Sequence, residues 1–376
     1  MEIDPSDPDA EKLPEEQKGI IMAMIKQLKP GNGMDLSRVT LPTFILEPRS
    51  LLERFTDFLT HAQYIISIHA EADPLQRFLS VVRWFISGYH IRPTGVKKPY
   101  NPILGECCRA EWDHGEHGRT LFVAEQTSHH PPVSAFYFVN PRCNLVVEGD
   151  VKPKSRFLLN SVASLMEGSM SIRLLNLDEE YVITFPSYYV RGLFLGTLKM
   201  ELSGKGTITC ASTGLSCELE FKNKGMFGRG SNNAVVGEVL QKKKCVATIE
   251  GNWDSVVRWG LGSKADRVLL DVSPSASPVS QKIIAPLSQQ LQHESRRLWS
   301  RVSEAIRARD MDTATAHKVR THCLCSRCSL LIMCTWRRSW LWKILSVKAE
   351  GSEKQRGKFG SQPCFVTMGA ETIDFG

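Results

Sequence analysis

Two adjacent histidines followed by two prolines, His129-His130-Pro131-Pro132, are the residues of this chain whose types and spacing best fit chemistry. They close the segment Glu125-Gln126-Thr127-Ser128-His129-His130-Pro131-Pro132. Proline disfavours the helical region for the residue before it, so His130 is held extended, and the stiff stretch displays both imidazoles where a strand enters a turn. Paired imidazoles can donate hydrogen bonds to an anion such as a phosphate. A single histidine is usually a packing residue satisfied by its neighbours, and an adjacent pair on a rigid turn fits that role less well. Zinc is a poor match, because no third ligand follows at the usual spacing.

A second segment, Gly95-Val96-Lys97-Lys98-Pro99-Tyr100-Asn101-Pro102-Ile103-Leu104-Gly105-Glu106, carries two lysines and an amide on a chain stiffened by Pro99 and Pro102. A lysine is a mobile point charge suited to a phosphomonoester. Alone, such a pair reads as solvated surface; it gains weight beside His129 and His130. His114 and His117, with Asp113 and Glu116, read as a polar hairpin turn rather than a metal site. A hydrolase using His129 or His130 as base lacks a Gly-x-Ser-x-Gly elbow and a catalytic acid pair. No catalytic residues, metal site or cofactor are expected.

The elements that must position these groups follow from composition and pattern. The chain has 376 residues, 42% hydrophobic and 23% charged, enough to bury a core and unlike collagen or a disordered chain. A net charge of +7 is too mild and too evenly spread to announce a nucleic-acid binder. No run approaches the roughly 18 apolar residues of a spanning helix, and the acidic start MEIDPSDPDAEKLPEEQKG is unlike a signal peptide. Eleven cysteines, an odd count without a secretory signal, favour reduced thiols. A cytoplasmic protein is expected.

Pro14, Glu15 and Glu16 suit a helix start, and Ile20, Ile21, Met24, Ile25 and Leu28 form its apolar stripe before Gly31-Asn32-Gly33 ends it. The stretch from Met34 to Glu47 reads as extended, and amphipathic helices are expected at about Leu51–Ile68 and Asp73–Tyr89. From Arg119 to Trp253 about ten strand-like segments follow, with turns expected at Gly149-Asp150, Asn176-Leu177-Asp178 and Ser203-Gly204. So many strands are most economically arranged by curling into a barrel. A Ser/Pro loop at 273–278 and helical spacing from Gln289 to Arg309 complete the pattern.

Together, Glu125–Pro132 and Lys98–Glu106 closely resemble the ligand-binding domain of the oxysterol-binding protein family, whose hallmark is EQxSHHPP. The similarity takes in Met34–Glu47, Ile249-Glu250-Gly251-Asn252-Trp253 and Glu294–Trp299, and covers roughly residues 14–320. It implies an α+β fold, an incomplete antiparallel β-barrel around a lipid tunnel, with an N-terminal helical lid and C-terminal helices. The expected organisation is an acidic disordered N-terminus (1–13), the lipid-binding domain (14–320) and a divergent Cys/Trp-rich tail (321–376). Within the domain the lid is expected at about 14–33, the barrel at about 98–253 and the C-terminal helical part at about 254–320. Ile20, Ile21, Met24, Ile25 and Leu28 would be the lid's apolar face.

The resemblance implies phosphatidylinositol 4-phosphate as a ligand, its phosphate held by His129, His130 and Lys98, with Lys318 matching a further basic position. The form MDLSRVTLPTFILEPRS with KKPYNPILGE is similar to the branch that handles phosphatidylserine, with Leu36, Leu41, Thr43, Ile45 and Asn101 lining the second-lipid site beside Lys98. The implied function is exchange of the two lipids between membranes; a sterol as second ligand, or a non-transferring sensor or adaptor, are the alternatives. Partners would be these lipids and anionic membrane surfaces, touched peripherally, with endoplasmic reticulum contact sites among the candidate places and no nucleic acid. Lys222, Lys224, Arg229 and the Lys242-Lys243-Lys244 turn are basic residues that could ring the mouth. The family usually has an acidic residue four positions after the one matching Lys318 and an arginine eight after. Here His322 and Ser326 stand there, and the resemblance ends near Arg320.

Overall fold

A computed structural model of the chain describes residues 10–27, 34–35, 42–93, 95–158, 161–194, 197–223, 231–262 and 264–328. The tail tryptophans Trp336, Trp340 and Trp342 lie outside the described residues, as do Leu28, Leu36, Leu41, Lys224 and Arg229. The strands are β1 (Ala10–Lys12), β2 (Met34–Asp35), β3 (Leu46–Ser50), β4 (Lys98–Tyr100), β5 (Cys107–Asp113), β6 (Arg119–His129), β7 (Pro132–Asn140), β8 (Leu145–Leu158) and β9 (Ser161–Leu174). They continue with β10 (Glu179–Thr184), β11 (Ser187–Arg191), β12 (Thr197–Cys210), β13 (Leu215–Lys222), β14 (Ala234–Gln241), β15 (Lys244–Asn252), β16 (Val256–Leu261) and β17 (Arg267–Asp271). The helices are α1 (Glu15–Gln27), α2 (Leu51–Arg54), α3 (Gln63–Ile66), α4 (Pro74–Ser87), α5 (Ser295–Leu298), α6 (Ser300–Arg307) and α7 (Met311–Cys328).

All strands but β3 and β4 join one 15-stranded sheet, whose main path runs β5 through β10, then β12 to β17, through antiparallel neighbours. Its edges, β5 and β17, are not paired with each other, so the sheet is an incomplete barrel. The C-terminal segment shields β5 through bridges from Cys107 to Glu294 and from Glu111 to Ile283. That cover prevents an open edge from recruiting another strand.

Strand residues alternate as a half-buried sheet requires: in β13, Leu215, Cys217, Leu219 and Phe221 point inward. The concave face packs on α4, whose Phe78, Val81, Val82, Trp84, Phe85 and Ile86 are buried in the same core as Phe136, Ile172, Tyr181 and Leu219. Helix α4 starts where Asp73 caps it, accepting from the Leu75 amide at 3.0 Å, with Pro74 in the first turn.

The structure departs from sequence expectation in several places. The segment expected as one helix over Leu51–Ile68 is broken into α2, a 3-10 turn at Phe55–Leu59 and α3. Residues 10–12, expected to be disordered, form β1 and pair with β12. Strands β16 and β17 follow Trp253, inside the part expected to be helical, and α7 runs to Cys328, past the expected boundary at 320. Gly149-Asp150 and Ser203-Gly204 lie inside β8 and β12 rather than at turns. Gly149 is there because a Cβ would stand 2.6 Å from the Ser169 carbonyl oxygen of β9. Gly204 has φ of +97° where β12 passes from pairing with β11 to pairing with β13.

The α2 region is clamped to the C-terminal segment by Glu53, which is buried and takes Arg296 Nη2 at 2.6 Å and Lys282 Nζ at 3.0 Å. Burial alone would raise its pKa, but the hydrogen bonds from Arg296 and the charge of Lys282 outweigh it and hold the carboxyl at about 2, against an ordinary 4.5. A depressed carboxyl stabilises the fold above its unfolded pKa, and that stability is lost as pH falls through the folded value. Glu53→Gln is therefore expected to cost about 3 kcal/mol at neutral pH. Denaturant titrations should show the gap to wild type closing between pH ~4.5 and ~2; a gap that is the same at both ends would refute the linkage.

Candidate functional site

The Glu125–Pro132 segment is the end of β6, a tight turn at His130-Pro131 and the start of β7, with His129 paired across to Pro132. Its polar side chains brace the turn from within. Gln126 is fully buried; its Oε1 accepts from Ser134 Oγ at 2.5 Å and its Nε2 donates to the Ser128 carbonyl at 2.7 Å. Ser128 Oγ donates to the Pro131 carbonyl at 2.7 Å and Thr127 Oγ1 to the Val133 carbonyl at 3.2 Å. The imidazoles lie side by side, ring centroids 4.6 Å apart, with His129 half-buried and His130 exposed.

His129 Nδ1 lies 3.1 Å from the Pro102 carbonyl oxygen. A carbonyl only accepts, so Nδ1 carries the hydrogen and Nε2 is the nitrogen left for a ligand. Pro102 is fixed in turn by Glu106, four residues on. The Glu106 carboxylate is buried and accepts four hydrogen bonds, from Ser50 Oγ at 2.5 Å, Ser295 Oγ at 2.7 Å, Trp299 Nε1 at 2.8 Å and the Ile103 amide at 3.1 Å. Burial raises its pKa, while these donors pull the other way. Tyr100 adds a stack on Trp299, 4.6 Å between centroids, and its hydroxyl meets Ser303 Oγ at 2.9 Å. Gly105, at φ +76°, closes the loop in a left-handed conformation that favours glycine.

Lys98 sits on β4, which pairs in parallel with β3. Its side chain keeps accessible surface, yet desolvation is the first cause lowering its pKa and Lys318 the second. Lys318, on α7, is likewise lowered by burial. One turn further on, the His322 ring lies 6.1 Å from His129 and 5.5 Å from Trp299. His129 is lowered by burial and then by His130, against the pull of the Pro102 carbonyl. Three elements, β4, the β6–β7 turn and α7, thus gather Lys98, His129, His130, Lys318 and His322. No carboxylate is among the groups that shift Lys98, His129 or His322. The arrangement can take a multiply charged anion through charge-assisted hydrogen bonds.

The other predicted site residues divide. Thr43 is buried in a 3-10 turn and faces α7, its Oγ1 3.1 Å from Thr315 Oγ1; Ile45 is half-buried and Asn101 exposed. In α1, Ile21 is buried with Leu13, Val96, Phe157, Leu193 and Leu198, whereas Ile20 is 44% exposed; the side chains of Met24 and Ile25 lie outside the described residues. The chain before α1 is tied beside Lys98, because Glu11 accepts from the Val96 amide at 2.7 Å and from Lys97 Nζ at 3.1 Å. Lys222 is exposed and pairs with Glu220 at 2.8 Å. The Lys242-Lys243-Lys244 turn is not at this rim: antiparallel hairpins alternate ends, and β14–β15 turns at the end opposite to His130. His114 to His117 form the hairpin turn expected of them, with His114 Nε2 2.9 Å from Thr120 Oγ1. A cleft of about 740 Å³ lies on the far side of the Tyr100 loop, lined by Arg49, Tyr100, Arg296, Trp299, Ser303 and Arg307, and none of the five cradle side chains borders it.

A curled antiparallel sheet with an apolar inner face and a cluster of lysine and imidazole side chains at one rim is the arrangement of a lipid-binding class of protein. A family model described as oxysterol-binding protein matches residues 23–322, and the chain belongs to that family. It is 43% identical over 332 residues to the oxysterol-binding protein homolog C23B6.01c of Schizosaccharomyces pombe, covering 85% of this chain and 68% of that one. Against mammalian relatives at 41% identity it spans only about a third of their length. Among solved structures, the Osh1 ORD domain in complex with cholesterol superposes with a TM-score of 0.66 at 23% identity, over 89% of this chain and 80% of that one. The Osh3 ORD from Saccharomyces cerevisiae in complex with PI(4)P gives 0.59 at 19% identity, over 76% and 78%. Family membership makes this a lipid-binding protein, not an enzyme. Among the described residues no helix is long and apolar enough to cross a membrane.

Proposed function

We propose that the chain binds phosphatidylinositol 4-phosphate, with His129, His130, Lys98 and Lys318 on the phosphate, and exchanges it for phosphatidylserine between membranes. The observation that carries the reading is the convergence of three separate elements: His129 and His130 of the β6–β7 turn lie side by side, His129 is 6.1 Å from His322 on α7, and Lys318 of the same helix acts on Lys98 of β4. Supporting it, one structural neighbour is described in complex with PI(4)P. Leu36, Leu41, Thr43, Ile45 and Asn101 are assigned to the second lipid and Ile20, Ile21, Met24, Ile25 and Leu28 to a lid. A neighbour described with cholesterol favours the sterol as the alternative second ligand. The working place of such an exchanger is the cytoplasmic surface of two apposed membranes, endoplasmic reticulum contact sites being the first to examine.

Transfer between two liposome populations tests this, with phosphatidylinositol 4-phosphate in one and either phosphatidylserine or sterol in the other. Counter-transfer of phosphatidylserine accelerated by the phosphoinositide is the expected result. Sterol counter-transfer in its place would reassign the second ligand. Binding without transfer of either would reduce the protein to a sensor.

A further inference from the structure

His322 is a residue that the head-group assignment above leaves without a role, and its position is specific. It stands one helical turn after Lys318 on α7, so both side chains project from the same face. Its ring is within 6.1 Å of His129 and is propped edge-on by Trp299, whose own indole is anchored on Glu106. The charged and titratable groups around it are His129 and then His130 on the β6–β7 turn, Lys318 on its own helix, and Lys98 on β4 facing Lys318.

We propose that His322 is a third imidazole of the anion cradle and takes up a proton when a phosphomonoester docks, coupling head-group binding to pH. The inference rests on the function proposed above. Without a ligand, His322 is held neutral: burial, then His129 and Lys318, bring its pKa to about 4. A phosphomonoester carries about −1.5 to −2 charge at neutral pH. Placed among these groups it reverses the local field, since a nearby opposite charge favours the protonated ring. Protons taken up on binding make affinity rise as pH falls, by about tenfold per pH unit for each full proton.

The test is calorimetry with a short-chain, soluble phosphatidylinositol 4-phosphate, in two buffers of different ionisation heat at pH ~7. Wild type and His322→Gln are compared, and the comparison cancels the titration of the phosphate itself. Wild type is expected to take up more protons per ligand, and its affinity to climb more steeply between pH ~8 and ~6. Imidazole nitrogen shifts of the wild-type chain give the same answer without mutation: the His322 pKa should move upward by about three units on ligand addition, to near neutrality, because a smaller rise from about 4 leaves the ring uncharged at pH ~7. Equal proton uptake in both proteins, or a His322 pKa that does not move, with binding intact, would overturn the role of His322 while leaving the proposed function standing. No binding by wild type would overturn both. A parallel titration with inorganic phosphate separates the sources: a His322-dependent uptake seen there supports an imidazole that reads phosphate alone, not the lipid.

Discussion

Removing both imidazoles of the turn, His129→Ala/His130→Ala, is expected to lower phosphatidylinositol 4-phosphate extraction from liposomes by about 100-fold or more. Hydrogen bonds to charged groups are worth about 1.5–3 kcal/mol each, and each 1.4 kcal/mol is tenfold in affinity. The fold should survive the change. His130 is exposed, and the internal bond of His129 to the Pro102 carbonyl is an ordinary one, worth about 1 kcal/mol. The turn is braced by Gln126, Ser128 and Ser134 rather than by the histidines. A thermal melt within a few degrees of wild type, alongside lost extraction, is the pattern that separates a ligand contact from a structural one. Extraction within about threefold of wild type would place the phosphate elsewhere.

Much of this fold is legible in the sequence, for identifiable reasons. The strands from Arg119 to Asn252 show because they alternate with period two on one core face, and the His-His-Pro-Pro turn shows because proline restricts its neighbours. The glycines misled: Gly149 and Gly204 read as turns, yet one admits a close cross-strand approach and the other a change of pairing partner. Local pattern cannot distinguish these uses, because each depends on a strand that is distant in sequence. The location of the basic residues was hidden for a related reason. Which end of the sheet Lys243 occupies depends on the parity of all the hairpins before it.

At the site, the histidines and Lys98 were legible by type and spacing, whereas the residue that holds them in place was not. Glu106 has no periodicity to mark it and follows a Pro-x-x-Gly loop. Its partners Ser50, Ser295 and Trp299 are 56, 189 and 193 residues away. No single-sequence rule joins them. His322 was marked only by its four-residue offset from Lys318, a signal that needs α7 to continue through that position, as it does.

Glu106→Ala is therefore expected to be the most damaging single substitution in the site, although Glu106 touches no ligand. Four donors converge on the carboxylate. The two serine hydroxyls can rotate, and Ser295 Oγ already has the Cys107 carbonyl at 3.1 Å. The indole N–H of Trp299 and the amide of Ile103 cannot. Stranding two buried donors at about 1–3 kcal/mol each, and opening a cavity as well, should cost about 3–5 kcal/mol, a large share of the 5–15 kcal/mol typical of a whole domain. Glu106→Gln keeps one acceptor oxygen but turns an NH₂ toward donors, and should cost about half as much. Denaturant unfolding at neutral pH measures both, and a loss below about 1 kcal/mol for the alanine variant would refute the keystone role. Head-group binding should weaken in parallel, because Glu106 fixes the loop that carries Lys98 at one end and offers the Pro102 carbonyl to His129. Losing it frees the backbone acceptor that sets which nitrogen of His129 faces the phosphate, so the damage reaches the ligand through orientation rather than charge.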